Sequence, residues 1–243
     1  MTKTAIIIPA RYGSSRLEGK PLIEVNGKPI IQWVYEKAQQ SKLADMIIVA
    51  TDDERIFNAV KNFGGVVEMT STDHKCGSDR IREIIDRHPE IAYIVNLQGD
   101  EPMMRPEYID EVAKNVKFDD NADISTLIRV IKDKDEVNNP NLVKCVTDIN
   151  GYALYFSRSP IPFERKPLVN PYYGHIGMYG YKREALIKMT SLPQTPLEQT
   201  ESLEQLRALE NGMKIKTSVV DFAPVGIDTI EDLEKFKALI NYN

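Results

Sequence analysis

A single stretch carries the densest chemistry in the chain: Pro9-Ala10-Arg11-Tyr12-Gly13-Ser14-Ser15-Arg16-Leu17-Glu18-Gly19-Lys20-Pro21. Glycines let a backbone turn so that successive N–H groups converge on one anion. Arg11 and Arg16 add planar donors that match phosphoryl oxygens, and Lys20 adds a compact charge. A triphosphate is the ligand this mixture suits. The stretch is neither the G-x-G-x-x-G fingerprint of dinucleotide enzymes nor the G-x-x-x-x-G-K-[ST] loop of ATPases and GTPases, which argues against both classes. Taken alone, it also fits a solvated surface loop.

A second constellation is spread wider. Asp100 stands in Gln98-Gly99-Asp100-Glu101-Pro102, just after an apolar run, and Asp228 follows Gly226-Ile227. In an α/β body strand ends gather on one face, so the two carboxylates can meet. Magnesium takes oxygen ligands and keeps phosphates and waters in its shell, so such a pair beside a triphosphate would hold it. The structural alternatives are a helix cap at Asp228 or Thr229 and a turn residue at Asp100. Glu101 is a weaker candidate of the same chemistry.

These residues need a frame. Ala5–Ile8 predicts a buried strand ended by Pro9. A helix is predicted over Pro29–Gln40, with Pro29 at its first position. Met46–Ala50 predicts a strand. The next helix is expected to be capped by Thr51 or Asp52 and to stop at Gly64-Gly65. Val66–Met69 and Ala92–Leu97 predict strands, and Ser78–Ile85 and Pro106–Val116 helices. This alternation is an α/β three-layer unit with a mainly parallel sheet, whose ligands belong beyond the carboxyl ends of the strands. The second half predicts strands over Asp123–Val130, Leu142–Thr147, Tyr152–Ser157, His175–Tyr181 and Lys214–Val220, with a hairpin turn at Asn150-Gly151. Helices are expected over Glu184–Met189, Glu198–Asn211 and Glu231–Ile240. Ser159–Tyr173 has no periodicity and reads as a long, lid-like loop.

The chain has 243 residues, 42% hydrophobic and 28% charged, with a formal net charge of -5. That length fits one α/β domain over 1–243. The expected division is an α/β body of about 1–120 and 214–243 and an inserted lobe of about 121–213. The acidic balance argues against a nucleic-acid partner. Cys76 and Cys145 fit no disulfide framework or metal spacing. The opening MTKTAIIIPA lacks a signal-peptide core, and no run approaches the roughly 18 apolar residues of a spanning helix. A cytoplasmic location follows as the expectation.

Ala5–Pro21 closely resembles the N-terminal signature of the 3-deoxy-manno-octulosonate cytidylyltransferase family, enzymes that activate an acidic sugar. The resemblance continues at Val49-Ala50-Thr51-Asp52, Val95–Pro102, Gly151–Pro162, His175–Tyr181, Glu204-Gln205-Leu206-Arg207 and Gly226-Ile227-Asp228-Thr229. These ordered segments cover essentially the whole chain. The resemblance implies a nucleotide-diphospho-sugar-transferase-like, Rossmann-like fold with a mixed, mainly parallel central sheet and an inserted smaller lobe. It implies CTP and 3-deoxy-D-manno-octulosonate (Kdo) as substrates, Mg2+ as cofactor, a homodimer, and a place in lipopolysaccharide synthesis.

Residue by residue, it implies nucleotide contacts from Ala10, Arg11, Ser14, Arg16, Lys20 and Gln98. A second loop, His74–Arg80, contributes Gly77, Ser78 and Arg80, with Cys76 where the family usually has serine. Arg16, Lys20, Asp100 and Asp228 carry catalysis, Asp100 and Asp228 by holding the metal. Arg158, Arg165, His175, Tyr179, Glu204 and Gln205 face the sugar. Gly174 stands where relatives often have a larger polar residue, which leaves room for a modified sugar such as 8-amino-Kdo. Another acidic sugar or a sugar 1-phosphate is the remaining alternative. His74 and His88 receive no role.

Overall fold

The computed structural model describes residues 2–13, 17–167, 169–222, 224 and 226–241. The chain divides into two compact units, Met1–Asp110 with Pro224–Asn243, and Glu111–Ala223.

The first unit opens with β1 (Lys3–Ala10), followed by a 3-10 turn over Lys20–Leu22 and the small antiparallel pair β2 (Glu24–Val25) and β3 (Lys28–Pro29). Then come α1 (Ile30–Ala38), β4 (Met46–Thr51), α2 (Glu54–Asn62), β5 (Val67–Met69), α3 (Gly77–Arg87), β6 (Ile91–Asn96) and α4 (Pro106–Phe118), whose residues from Glu111 on belong to the second unit. The strands pair in the order β6-β1-β4-β5, all parallel, with Ile7 opposite Asn96 on one side and Ile48 on the other. Ile6, Ile7 and Ile8 are fully buried, as a strand covered on both faces requires. Pro9, expected to end β1, lies inside it. Beyond Ile7 the recorded partner of β1 is β4 alone, so the missing N–H falls where one side of the ladder has stopped.

This strand order matters for function. From β1 the chain steps outward through α1 to β4 and through α2 to β5. It then returns through α3, which packs on β1, β4 and β6, to the far side of β1. Right-handed crossovers put α3 on the face opposite α1 and α2. The order reverses between β1 and β6, and the carboxyl ends of those strands border the crevice where such sheets bind ligands. The cap of α2 is Asp53, which accepts the Arg55 N–H at 2.9 Å. Thr51 instead receives the Asp53 N–H, and Asp52 is drawn to Arg80.

The second unit contains β7 (Ile124–Val130), α5 (Lys134–Val137), β8 (Lys144–Thr147), β9 (Ala153–Ser157), β10 (Tyr173–Lys182), α6 (Arg183–Ser191), α7 (Pro196–Glu201), α8 (Gln205–Glu210) and β11 (Ile215–Val220). β10 pairs antiparallel with β7 and β8, β8 antiparallel with β9, and β11 parallel with β7. β11 was expected with the α/β body; its partner strand places it here. The β8–β9 turn forms at Asn150-Gly151, where Gly151 has φ +78° and Asp148 accepts the N–H of Asn150 and Tyr152. The helix expected over 198–211 is broken at Ser202 (φ +52°) into α7 and α8. The break turns Glu198 and Arg207 onto each other, both nearly fully buried.

α9 (Ile230–Asn241) belongs to the first unit. Phe236 of α9 packs edge-on against Trp33 of α1, with ring centroids 5.9 Å apart.

Candidate active site

The loop after β1 is shaped by one backbone requirement. Gly19 has φ +67°, and a Cβ there would lie 2.9 Å from the Tyr12 ring, so only glycine fits. Its N–H donates to Tyr12 O at 3.0 Å and closes the loop on itself. Lys20 is thereby turned inward and is almost fully buried, whereas Arg11 is exposed at the rim. Ser14 and Arg16 lie outside the described residues.

Lys20 is where the distant carboxylates meet. Its Nζ stands 2.5 Å from Asp100 Oδ2 and 3.0 Å from Asp228 Oδ1. Two backbone features bring them there. Gly99 passes so close to β1 that a Cβ would sit 3.0 Å from Pro9 O. Ile227 donates its N–H to Asp100 O at 2.9 Å, which sets Asp228 beside Asp100. The cap of α9 is made by others: Asp232 accepts from the Thr229 N–H and hydroxyl, and Thr229 Oγ1 accepts the Asp232 N–H. Asp228 is therefore not needed as a cap, the structural alternative raised for it.

Burial opposes the charge on Lys20, but its contacts with Asp100 and then Asp228 outweigh it and raise its pKa above the usual 10.5. Glu101 is the opposite case. Burial, reinforced by the charges of Asp100 and Asp228, pushes its pKa up to about 8. Its Oε2 is buried without a hydrogen-bond partner among the described residues. Among the described residues no group of three or more His, Cys, Asp or Glu side chains is disposed to hold a metal ion. A carboxylate pair is what the site offers. It fits magnesium, which takes one or two carboxylates and completes its shell with phosphates and waters.

Two adjoining clefts share Pro9, Ala10, Arg11 and Gln98. The first is completed by Lys20, Asp100 and Asp228, the second by His74, Lys75, Cys76, Gly77 and Arg80. Arg80, expected to contact nucleotide, directs one guanidinium nitrogen to Asp52 Oδ2 at 2.7 Å and another to Thr70 Oγ1. It ties the head of α3 to the end of β4. Ser78 is buried, while Cys76 is the N-cap residue of α3 and makes no side-chain capping bond. Gln98 donates to Asn96 Oδ1 at 3.1 Å, and its own carbonyl is oriented by that bond.

In the second unit, His175 lies between Phe156 and Tyr179, with ring centroids 5.0 and 5.4 Å away. Its Nε2 is 2.9 Å from Thr126 Oγ1, whose hydroxyl faces the carbonyls of Ile176 and Met178. The hydroxyl proton goes to a carbonyl, so Nε2 carries the imidazole proton and donates it to Thr126. Burial lowers the His175 pKa to about 4, so the ring is neutral near pH 7. Tyr179, Glu204 and Gln205 line one small cleft with Tyr181. Gln205 Nε2 is buried there without a partner among the described residues.

The two arginines behave differently. Arg158 spends its guanidinium on the carbonyls of Glu201, Pro140 and Ser202, and so holds loops together. Arg165 is exposed in the irregular segment that precedes β10. Lys144 escaped the sequence reading altogether. It is fully buried, and its Nζ donates to the carbonyls of Asn139, Leu142 and Arg158. Gly174 also has a packing reason: a Cβ there would lie 3.0 Å from Leu142 Cδ1 and 3.4 Å from Ile131 Cγ1. No altered sugar is required to explain it.

A cleft at a topological switch point, lined by Arg11 and Lys20 with a carboxylate pair beside them, is what a nucleotidyltransferase needs, and the cytidylyltransferase family profile matches residues 5–215. The chain is 49% identical to the 3-deoxy-manno-octulosonate cytidylyltransferase of Thermodesulfovibrio yellowstonii, with 98% of each chain covered. It is 50% identical to that of Fusobacterium nucleatum, over 97% of this chain and 95% of the relative. A solved structure of CMP:2-keto-3-deoxy-manno-octonic acid synthetase complexed with CTP superposes with a TM-score of 0.95 at 44% identity, over 99% of both chains. This chain belongs to the 3-deoxy-manno-octulosonate cytidylyltransferase family.

Proposed function

We propose that this protein transfers the cytidylyl group of CTP to the anomeric hydroxyl of Kdo, giving CMP-Kdo and pyrophosphate. The observation that carries the reading is the convergence of Lys20, Asp100 and Asp228 at the carboxyl ends of β1 and β6. It is supported by the fold shared with a relative solved with CTP. Asp100 and Asp228 would hold a magnesium ion. When bound, such an ion polarises the α-phosphoryl group and lowers the pKa of the attacking hydroxyl. Lys20, with Arg11 and Arg16 of the same loop, offsets charge on the departing β and γ phosphates. The Ala10 backbone and the oriented Gln98 amide read the cytosine edge, and Gly77 and Ser78 at the head of α3 complete that wall. Arg80 holds the wall in place through Asp52 and Thr70.

On the sugar side, neutral His175, the Tyr179 hydroxyl, Glu204 and the unpartnered Gln205 amide address hydroxyls. Arg165 would meet the carboxylate, and Arg158 shapes the loop around them. The enzyme works in the cytoplasm, where CTP is made, and feeds lipopolysaccharide assembly. It works as a homodimer, with the Tyr152–Ile161 region contributing; Leu154 in that region is 62% exposed.

A pyrophosphate-release assay crossing CTP, UTP, ATP and GTP with Kdo, 8-amino-Kdo, a sialic acid and a hexose 1-phosphate tests the reading. CTP with Kdo is expected to dominate. Equal turnover with UTP, or preference for a purine triphosphate, would sink it.

His175→Ala and Glu204→Ala are expected to raise the KM for Kdo roughly tenfold or more while leaving the Kd for CTP within about twofold of wild type. Calorimetry with CTP alone, beside sugar-dependent kinetics, separates the two. Lost CTP binding with unchanged sugar kinetics would reverse the assignment of the pockets.

A further inference from the structure

In the structure an ammonium already stands where the two carboxylates meet. Lys20 Nζ bridges Asp100 and Asp228, and its side chain is only 10% exposed. The two aspartates are 31% and 45% exposed, so water reaches them while the lysine is wedged between. A divalent ion that uses both carboxylates must take the place of that ammonium. We propose that Lys20 is the resident counter-ion of the Asp100–Asp228 pair. It closes the pair to divalent ions until a triphosphate draws the ammonium onto its own oxygens. The inference rests on the metal reading of the pair given above.

The argument is one of alternatives. Without nucleotide, moving Lys20 off the pair strands an ammonium in a nearly buried position with no replacement partner among the described residues, which is costly. A triphosphate brings about four negative charges and supplies that partner. The same event that frees the carboxylates therefore attracts the lysine, and nucleotide and divalent ion raise each other's affinity by the same factor.

The test is metal binding without nucleotide or turnover. Mn2+ alone is titrated into wild type, Lys20→Met and Lys20→Met/Asp228→Asn, with free Mn2+ counted by electron paramagnetic resonance. Wild type is expected to bind weakly. Lys20→Met is expected to bind about 5- to 150-fold tighter, the usual span of a coupling between sites, and the double variant to lose that gain. Thermal melts guard against misfolding: Mn2+ should raise the melting temperature of Lys20→Met and leave that of wild type nearly unchanged. Equal or weaker Mn2+ binding in Lys20→Met, or a gain that survives Asp228→Asn, overturns the proposal. Wild type loaded with CTP then tells the two readings apart. Should the gain in Lys20→Met be absent, Mn2+ binding there that still needs Asp100 and Asp228 leaves the metal pair standing and removes the lysine gate alone.

Discussion

Asp100→Asn and Asp228→Asn are each expected to lose roughly a hundredfold or more in kcat with magnesium, while the double variant loses far less than the product of the two. The side chains meet at one point, so the first removal already breaks the shared site. Asparagine keeps size and one carbonyl oxygen, and both aspartates are partly exposed, so the fold should survive. CTP binding supplies a second sign. Without metal, two carboxylates beside a triphosphate repel it, and either substitution should leave CTP affinity unchanged or improved. With magnesium the same substitutions should weaken it. Losses that multiply independently, or most of the turnover retained in either variant, would remove the shared metal site from the mechanism.

Glu198→Ala is expected to destabilise the protein by about 3–5 kcal/mol, because it strands the Arg207 guanidinium in the interior. Arg207 and Glu198 are 7% and 4% exposed, and Arg207 Nε reaches Glu198 Oε2 at 2.8 Å. Replacing both by Met and Leu should recover much of the loss. The pair also has a pH signature. Burial pushes the Glu198 carboxyl up, but Arg207 and the Thr195 N–H outweigh it, and its pKa falls below the ordinary 4.5. A depressed carboxyl stabilises the fold above its unfolded pKa, and the contribution fades as pH drops through the folded one. In urea melts the gap between wild type and Glu198→Gln should therefore be full near pH 7 and narrow below about pH 4.5. A gap independent of pH would show that packing, and not charge, supplies the difference.

Much of this architecture is readable from local pattern. The parallel strands of the first unit announce themselves as apolar runs, and α2 and α3 as apolar stripes ending in glycine or a basic turn. What is not readable depends on partners far away in sequence. Thr51 and Asp52 are the caps the sequence suggests for α2, but Arg80 claims Asp52 and the neighbouring Asp53 takes the cap instead. Arg80 and Arg158 look like ligand contacts because arginine suits anions. In the structure both also bond within the protein, Arg80 to Asp52 and Arg158 to the Glu201 carbonyl, partners that no local pattern announces. Lys144 left a faint signal: it alternates with the apolar Leu142 and Val146 in the strand predicted over 142–147, where a charge that turns inward needs an interior partner. The pairing of β11 with β7 has no local signature at all, since parallel pairing leaves no turn between the strands. The meeting of Asp100 with Asp228 could be expected from strand ends, but the lysine between them could not. Its position depends on Gly19 and on the close approach at Gly99.

The bridge at Lys20 also sets a schedule for synthesis. Asp100 lies 80 positions beyond Lys20, whereas Asp228 lies 208 beyond it. A chain leaving the ribosome amino end first can build β1, β4, β5 and β6 and dock Lys20 on Asp100 while Asp228 has yet to be translated. At about 5–20 residues per second, the half-made pair persists for several seconds or more. During that interval the growing chain has the cleft and one carboxylate but not the second. On that schedule the carboxylate pair is complete only when the segment around Ile227 arrives to lie against Asp100.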